Sequence, residues 1–159
     1  MKFDSIALRN AFGLFTTGVT IITANPNGYK PFGVTANSFS SLSLDPPLLL
    51  WSLQKDSDTW DAFQATTQFA VNILASDQKD MSVRYAQKGD HELATDEYEM
   101  GESGCAILSN CIASFECDMG ERYEGGDHII MVGKVLEVNC NHIEASPLVF
   151  QSGQYRSLA

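Results

Sequence analysis

Strand-like segments separated by turn residues recur along this chain, and they constrain its fold more than any single motif. The runs of strand length are 19–24, 31–39, 48–53, 69–74, 106–108, 112–121, 128–138, 147–150 and 154–156. Strands and helices do not alternate, and no Gly-rich turn joins a strand to a helix, so a doubly wound sheet is disfavoured. The pattern predicts a mainly β chain that forms a closed or partly closed antiparallel barrel with flanking helices.

Three helices are predicted between these strands. They cover about 4–18, 58–66 and 76–85, each with an Asp or Ser near its start that can cap the first turn. The stretch 87–104 is polar, acidic and interrupted by glycines, so we interpret it as a long surface loop. Loops of this length are often functional.

The most distinctive stretch lies between Gly33 and Ser43, where an alternating strand becomes crowded with short polar side chains. Six of them fall within nine positions: Thr35, Asn37, Ser38, Ser40, Ser41 and Ser43. Short uncharged donors and acceptors on a rigid strand suit a flat heterocycle with many hydrogen-bonding edges. An ordinary polar strand end would have the same composition, and the stretch alone does not separate the two interpretations.

The charge balance limits the possible partners. The formal net charge is −10, from 20 acidic and 10 basic residues, so no nucleic-acid partner is expected. Local donors would have to hold any anionic ligand, because the overall field opposes it. No apolar run approaches the ~20 residues that span a bilayer, and the N-terminus lacks a signal pattern. A cytoplasmic protein without membrane contact is therefore expected.

Few side chains suit acid–base, nucleophilic or metal chemistry. The three histidines lie far apart in sequence, and no serine lies in a Gly-x-Ser-x-Gly turn. The four cysteines lack zinc or redox spacing, so we predict buried free thiols, with Cys105, Cys111 and Cys117 on one face if the strand is continuous. No metal site is predicted, and a cofactor would have to supply any difficult chemical step.

The start of the 58–66 helix is a candidate anion site. Lys55, Ser57 and Thr59 lie beside its first N–H groups, which could hold a phosphate. Asp58 opposes an anion there unless it points away. Ordinary helix capping explains the same residues.

Seven segments, in this order, support a family resemblance. They are Phe12-Gly13-x-Phe15-x-Thr17-Gly18-Val19-Thr20, Gly33 to Pro47, Phe69-Ala70-Val71-Asn72, Arg84-Tyr85-Ala86, Gly126-Asp127-His128-x-Ile130-x-x-Gly133-x-Val135, Pro147-Leu148 and Tyr155-Arg156. Together they cover nearly the whole chain. The sequence resembles the flavin reductase family, short-chain NAD(P)H:flavin oxidoreductases that serve two-component monooxygenases.

The resemblance implies a fold and a set of ligands. The fold would be the FMN-binding split barrel, a six-stranded antiparallel Greek-key barrel with flanking helices, formed by residues 1–159 as one domain and normally a homodimer. FMN or FAD would be the flavin, NADH or NADPH the reductant, and a flavin-dependent monooxygenase a possible partner. The residue at position 110 is Asn where the family often has Gly, which is compatible with left-handed backbone geometry.

The resemblance also implies roles for particular residues. The block from Thr35 to Ser41 would line the flavin ring and ribityl chain, and Ser52 to Thr59 would reach the ribityl chain and phosphate. The individual flavin-binding residues implied are Thr35, Ala36, Asn37, Ser38, Ser40, Ser41, Ser52, Leu53, Gln54, Ser57, Thr59, Arg84 and Tyr155. His128 would be the catalytic residue and face the nicotinamide. Gly89-Asp90-His91 is a second Gly-Asp-His, but it lies in the polar loop without a following strand, so the role is assigned to His128.

The hypothesis that follows is hydride transfer from the nicotinamide to FMN or FAD. This step depends on close stacking and orientation more than on acid–base catalysis, which agrees with a site rich in Ser, Thr and Asn. Backbone N–H groups near 52–53 and the Asn37 amide would polarise the ring edge. One alternative is a flavin-binding electron carrier that does not turn over NAD(P)H. A second is an interaction domain without flavin, in which the Ser-rich strand is structural.

Overall fold

The computed structural model describes residues 2–159 and arranges them in three antiparallel sheets of seven, three and two strands. The strands are β1 (Thr17–Gly18), β2 (Thr20–Ala24), β3 (Phe32–Ala36), β4 (Ser40–Leu44), β5 (Pro47–Gln54), β6 (Gln68–Ile73), β7 (Tyr98–Met100), β8 (Ala106–Leu108), β9 (Ala113–Gly125), β10 (His128–Asn139), β11 (Val149–Gln151) and β12 (Gln154–Arg156). The helices are α1 (Ser5–Gly13), α2 (Trp60–Gln64) and α3 (Lys79–Ala86). The main sheet has seven strands, so the six-stranded prediction is wrong in number, whereas the mainly β antiparallel class is confirmed.

The main sheet is curled into a barrel, and the connection between its edge strands requires this. The strand order is β3-β2-β6-β9-β10-β5-β4, which puts β3 and β4 at opposite edges. In a flat sheet, six spacings of ~4.8 Å would separate them by about 29 Å. The link from Ala36 to Ser40 spans at most about 14 Å. The two edges must therefore approach each other, and the barrel is split where β3 faces β5 and β4.

Inward-facing side chains of the main sheet fill the barrel. Leu49, Trp51 and Leu53 alternate along β5 and are all buried. The Trp51 ring packs edge-on against Phe63 from α2, with ring centroids 5.0 Å apart. This packing holds α2 against one end of the barrel. A second apolar cluster on the outer side of β2 includes Tyr85 and Leu108 and holds α3 and β8.

Helix α1 is shorter than predicted. Asp4 caps it by accepting a hydrogen bond from the Ala7 N–H, as expected, but the helix ends at Gly13 rather than near Gly18. Thr17 and Gly18 instead pair with β11. The tertiary pairing ends the helix early, and α1 buries no side chain. None of the helices within residues 2–159 is long and apolar enough to cross a membrane.

Two further predictions differ from the structure. The stretch 87–104 includes β7, which pairs with β8, so it is not wholly a loop. Cys105, Cys111 and Cys117 do not share one strand face, because a turn separates β8 from β9. These three thiols are buried and free as predicted, whereas Cys140 is exposed. Asn110 has φ 63°, the left-handed geometry that an Asn tolerates.

Candidate active site

A cleft of about 250 Å³ opens at the split in the barrel, between the end of β3 and β5. Its larger apolar lining residues are Val34, Trp51 and Leu53, of which Trp51 and Leu53 are buried. The rest of its lining is polar or charged apart from two alanines: Thr35, Ala36, Asn37, Ser38, Ser52, Gln54, Asp56, Ser57, Asp58, Ala86, Gln87, Lys88, His91 and His128. The cleft therefore presents many short hydrogen-bonding groups and little apolar surface.

Two hydroxyls of the predicted polar stretch hold the cleft wall in place. The Ser38 hydroxyl accepts a hydrogen bond from the Ser52 N–H at 2.9 Å and donates to the Ser52 carbonyl at 3.2 Å. The Thr35 hydroxyl donates to the Ser82 carbonyl at 2.7 Å and ties β3 to α3. Asn37 is exposed between them, so its amide is accessible to a ligand.

The predicted anion site at the start of α2 is only partly assembled. Ser57 lines the cleft, and its hydroxyl lies 2.8 Å from that of Thr59. Thr59 is buried at 3% exposure and does not line the cleft. Lys55 is ion-paired with Glu124, and α2 has only five residues. The site expected from Lys55, Ser57 and Thr59 together is therefore reduced to Ser57.

His128 lies at the mouth of the cleft, where β10 begins opposite Gln54. Its Nδ1 is 2.7 Å from an Asp127 carboxylate oxygen, and its side chain is 42% exposed. A hydrogen bond and the charge of His128 lower the pKa of Asp127, which keeps that carboxylate ionised. Because Asp127 engages Nδ1, the Nε2 side of the ring is the side available to a ligand.

His91 also lies in the cleft wall, next to Asp58. Its Nδ1 lies 2.9 Å from the Gly33 carbonyl oxygen, and its Nε2 lies 2.7 Å from Asp58 Oδ1. The second contact has ion-pair distance, although the ring N–H does not point squarely at the oxygen. The Gly89 N–H donates to Asp58 Oδ2 at 2.6 Å. Partial burial acts to raise the pKa of Asp58, but Gly89 and His91 outweigh it and lower the pKa.

Four implied flavin-binding residues besides Thr59 do not line the cleft: Ser40, Ser41, Arg84 and Tyr155. Ser40 and Ser41 pair with β5 within β4. Arg84 contacts Asp90 at 3.2 Å and Glu97 at 3.1 Å, so its guanidinium is held by the loop after α3. The Tyr155 hydroxyl is 2.7 Å from the Ser82 hydroxyl, behind the cleft wall.

Several cleft residues were missed by the sequence analysis. Lys88 and His91 come from the stretch interpreted as a surface loop, and the sequence presents Asp58 only as an obstacle to an anion. The Gly-Asp-His at 89–91 is the one sequence signal for this part of the cleft, but no long strand follows it. The pairing that brings His91 to the cleft joins residues 58 positions apart, which local pattern does not reveal.

A larger hollow of about 410 Å³ lies elsewhere, between β7 and the ends of β9 and β10. The fully buried Glu116 carboxylate lies in its wall and accepts hydrogen bonds from the backbone N–H groups of Glu102 and Ser103. No lysine or arginine lines this hollow. A buried carboxylate without a cationic partner disfavours a phosphate-bearing ligand, so the cleft at the split is the better nucleotide site.

The cleft fits the flavin that the family resemblance implies. Val34 is the partly exposed residue among the larger apolar ones of the lining, whereas Trp51 and Leu53 are buried in the barrel core. The exposed amides of Asn37 and Gln54 provide donors and acceptors in the same cleft. A heteroaromatic ring with polar edges has the complementary chemistry.

Comparisons with known proteins agree with this geometry. Residues 12–159 match the flavin reductase like domain. A probable flavin reductase of Rhizobium meliloti is 47% identical over 84% of this chain, which spans only 43% of that protein's length. An FMN reductase (NADH) of Agrobacterium fabrum is 41% identical over 96% of this chain and 85% of its own length.

A solved structure extends the similarity to three dimensions. The NADH:FAD oxidoreductase of Streptomyces globisporus, in complex with NAD and FAD fragments, has a TM-score of 0.91 and is 35% identical. The match covers 98% of this chain and 93% of that chain. The matched domain, the split barrel and the polar cleft lead to one conclusion, that this chain belongs to the flavin reductase like domain family.

Proposed function

We propose that this protein is an NAD(P)H-dependent flavin reductase, formed by residues 1–159 as a single domain. The observation that carries the proposal is the cleft at the barrel split, whose lining combines many short uncharged hydrogen-bonding side chains with a few charged groups. Bound FMN or FAD supplies a two-electron acceptor that takes a hydride from NADH or NADPH and one proton from solvent. The chain's own task is to orient the two reactants and exclude water between them.

Eight implied residues line the cleft and are proposed to contact the flavin: Thr35, Ala36, Asn37, Ser38, Ser52, Leu53, Gln54 and Ser57. The exposed Asn37 and Gln54 amides hydrogen-bond the ring edge and ribityl chain. The Ser38–Ser52 contact fixes the segment that follows β3 against β5 and so holds this wall of the cleft in place. The remaining residues, Ser40, Ser41, Thr59, Arg84 and Tyr155, support this wall or the adjacent loop.

His128 is proposed to position the nicotinamide. It lines the cleft beside Gln54, where it could hold a nicotinamide next to a bound flavin. Asp127 holds Nδ1, so Nε2 can hydrogen-bond the nicotinamide carboxamide. Correct stacking of two rings needs orientation to within a fraction of an ångström, which is the contribution assigned to this histidine.

Anaerobic mixing of the protein with NADH and FMN tests the proposed reaction. We expect the long-wavelength flavin absorbance to bleach at a rate that depends on protein concentration. Repeating the titration with FAD and with NADPH identifies the preferred pair. Protein that copurifies with flavin but gives no bleaching would contradict the reductase and indicate an electron carrier.

A homodimer is proposed as the working form. The cleft volume of about 250 Å³ lies just below the ~300–1,000 Å³ of typical ligand sites. Large apolar side chains are exposed on and after α1, including Phe12 and Phe15, the latter 79% exposed. Such a patch favours burial against another surface. Light scattering is expected to give twice the 17.4 kDa chain mass, and a strictly monomeric mass would refute the dimer.

A flavin-dependent monooxygenase is proposed as the consumer of the reduced flavin. Flavin that leaves an open cleft can be taken up by a second enzyme without a permanent complex. The expected result is that reduced flavin is released on dilution under anaerobic conditions. Reduced flavin that stays bound through gel filtration would argue against transfer by diffusion.

A further inference from the structure

Asp58 places a carboxylate in the wall of the cleft, where a negative charge is unfavourable for a nucleotide phosphate. Its two oxygens are engaged by different partners, Oδ1 by His91 and Oδ2 by the Gly89 N–H. The pKa of this group is lowered, so the carboxylate is ionised at neutral pH. The charge is therefore present in the wall, and its effect depends on its neighbours.

The His91 ring lies between two oxygen acceptors. Nδ1 faces the Gly33 carbonyl oxygen at 2.9 Å, and Nε2 faces the Asp58 carboxylate at 2.7 Å. Neither oxygen can donate a proton, so only the doubly protonated ring offers a donor on both sides. The side chain of His91 is only 12% exposed, so its contact with Asp58 is largely shielded from solvent.

The backbone holds His91 in place independently of its side chain. The Gly33 N–H donates to the His91 carbonyl at 2.9 Å, and the Leu93 N–H donates to the Pro31 carbonyl at 2.8 Å. Residues 91–93 thus extend along the free edge of β3, and Leu93 is buried. A substitution that changes only the ring leaves this pairing intact.

The remaining charges of the cleft do not cancel Asp58. Besides His91, its charged or titratable lining residues are Asp56, Lys88 and His128. His128 is engaged by Asp127, and Arg84 behind the wall is engaged by Asp90 and Glu97. Among these lining groups, His91 is the one in ion-pair contact with Asp58.

We propose that His91 is a specificity-determining positioning residue that masks the Asp58 charge, so that the cleft accepts the phosphate of its nucleotide. This inference rests on the proposed flavin reductase function and deepens it. An unmasked Asp58 would repel a phosphate-bearing ligand across a partly desolvated cleft and leave an uncharged ligand nearly unaffected. His91 acts through Asp58 and need not touch the ligand.

The test compares FMN with riboflavin, which has the same ring and ribityl chain without the phosphate. Dissociation constants are measured by flavin fluorescence for wild-type protein, H91Q, D58N and the double variant H91Q/D58N. H142Q is the matched control, because His142 is exposed and lies outside the cleft. Near-ultraviolet circular dichroism checks that each variant keeps its fold.

We expect H91Q to weaken FMN binding by about tenfold and riboflavin binding by about twofold or less. In H91Q/D58N, FMN affinity should return to within about threefold of wild type, because the charge to be masked is gone. H142Q should change neither ligand. D58N alone should bind FMN as well as wild type or a few-fold better, and it tests the idea even if H91Q does not fold.

Equal weakening of FMN and riboflavin by H91Q would overturn the inference and leave the reductase proposal standing. So would failure of D58N to rescue H91Q, or a selective loss of FMN binding in D58N alone. Wild-type protein that binds neither flavin would instead overturn the proposed function, and this inference with it.

Discussion

The chain contains the tripeptide Gly-Asp-His twice, and the two copies have different structural roles. In 126–128 it forms a turn before β10, and the histidine contacts its own neighbour Asp127 at a 42%-exposed site. In 89–91 the backbone pairs with β3, and the histidine ring contacts Gly33 and Asp58, far away in sequence. Both rings line the same cleft. Identical residues therefore make different contacts because different elements fold against them.

The two copies also differ in what holds them. The 126–128 turn is fixed by the β9–β10 hairpin, whose strands pair along most of their length. Residues 91–93 pair with β3 through their backbone, and side chains add further contacts: Arg84 contacts Asp90 and Glu97, and the Tyr85 hydroxyl donates to Glu97 at 2.5 Å. The first copy is held by a local hairpin, and the second by pairing with a distant strand together with a charge network.

The largest expected effect is on nicotinamide use, which should depend on His128 and not on His91. H128A should lower kcat/KM for the nicotinamide by about 100-fold through lost orientation, with flavin affinity nearly unchanged. Steady-state kinetics with each nicotinamide and a flavin titration measure the two quantities. If H128A weakens flavin binding while its nicotinamide kinetics stay normal, the division of roles between the two Gly-Asp-His copies is wrong.

An intermediate effect is expected when the charge network of Arg84 beside residues 89–91 is removed. R84A should destabilise the protein by about 2 kcal/mol, because it removes hydrogen bonds to Asp90, Glu97 and the Glu92 carbonyl. Urea denaturation measures the loss, and hydrogen exchange should become faster in 87–97 while 126–138 stays protected.

The control for this experiment is R156A, since Arg156 is exposed and no ion pair involves it within residues 2–159. It should change stability by less than about 0.5 kcal/mol. If R84A has no larger effect than R156A, the charge network does not hold the segment.

The smallest effect is a pH dependence at Asp58. Its pKa is lowered in the folded state, so its stabilising contribution is present above the unfolded value of about 3.9 and is lost as pH falls through the folded value. Because the side chain is partly exposed, we expect less than about 1 kcal/mol.

The stability difference between wild type and D58N, followed by thermal melts from neutral to acidic pH, should shrink towards zero as the solution becomes acidic. D127N is the matched variant in the Gly-Asp-His at 126–128. Because the pKa of Asp127 is also lowered, the stability difference between wild type and D127N should likewise shrink on acidification. A difference for D58N that grows on acidification would contradict the assigned ion pair with His91.

Much of the fold was predictable because its signals are local. The runs 19–24 and 31–39 correspond to β2 and β3, which pair across a turn with Gly28 at φ 87°. The runs 48–53 and 128–138 lie within β5 and β10. By contrast, the helix expected to reach Gly18 ends at Gly13, because pairing of Thr17 and Gly18 with a distant strand is more favourable than another helical turn.

The candidate site follows the same division. The hydroxyl-rich wall from Thr35 to Ser38 could be recognised from residue type and spacing, and the structure places those residues along the cleft. The placement of Arg84 could not be predicted, because its carboxylate partners come from a loop without a periodic pattern. The presence of Lys88 and His91 in the cleft could not be predicted either, since pairing of residues 91–93 with β3 brings this segment there.

The sequence by itself determined the mainly β class, most strand positions and the chemistry of one cleft wall, because these depend on neighbours within a few residues. Only the tertiary structure decided that the barrel is split beside that wall, that α2 is too short for the expected anion site, and that His91 meets Asp58. Those features arise from contacts between residues distant in sequence, where strand order and side-chain charge, rather than local propensity, determine which groups meet.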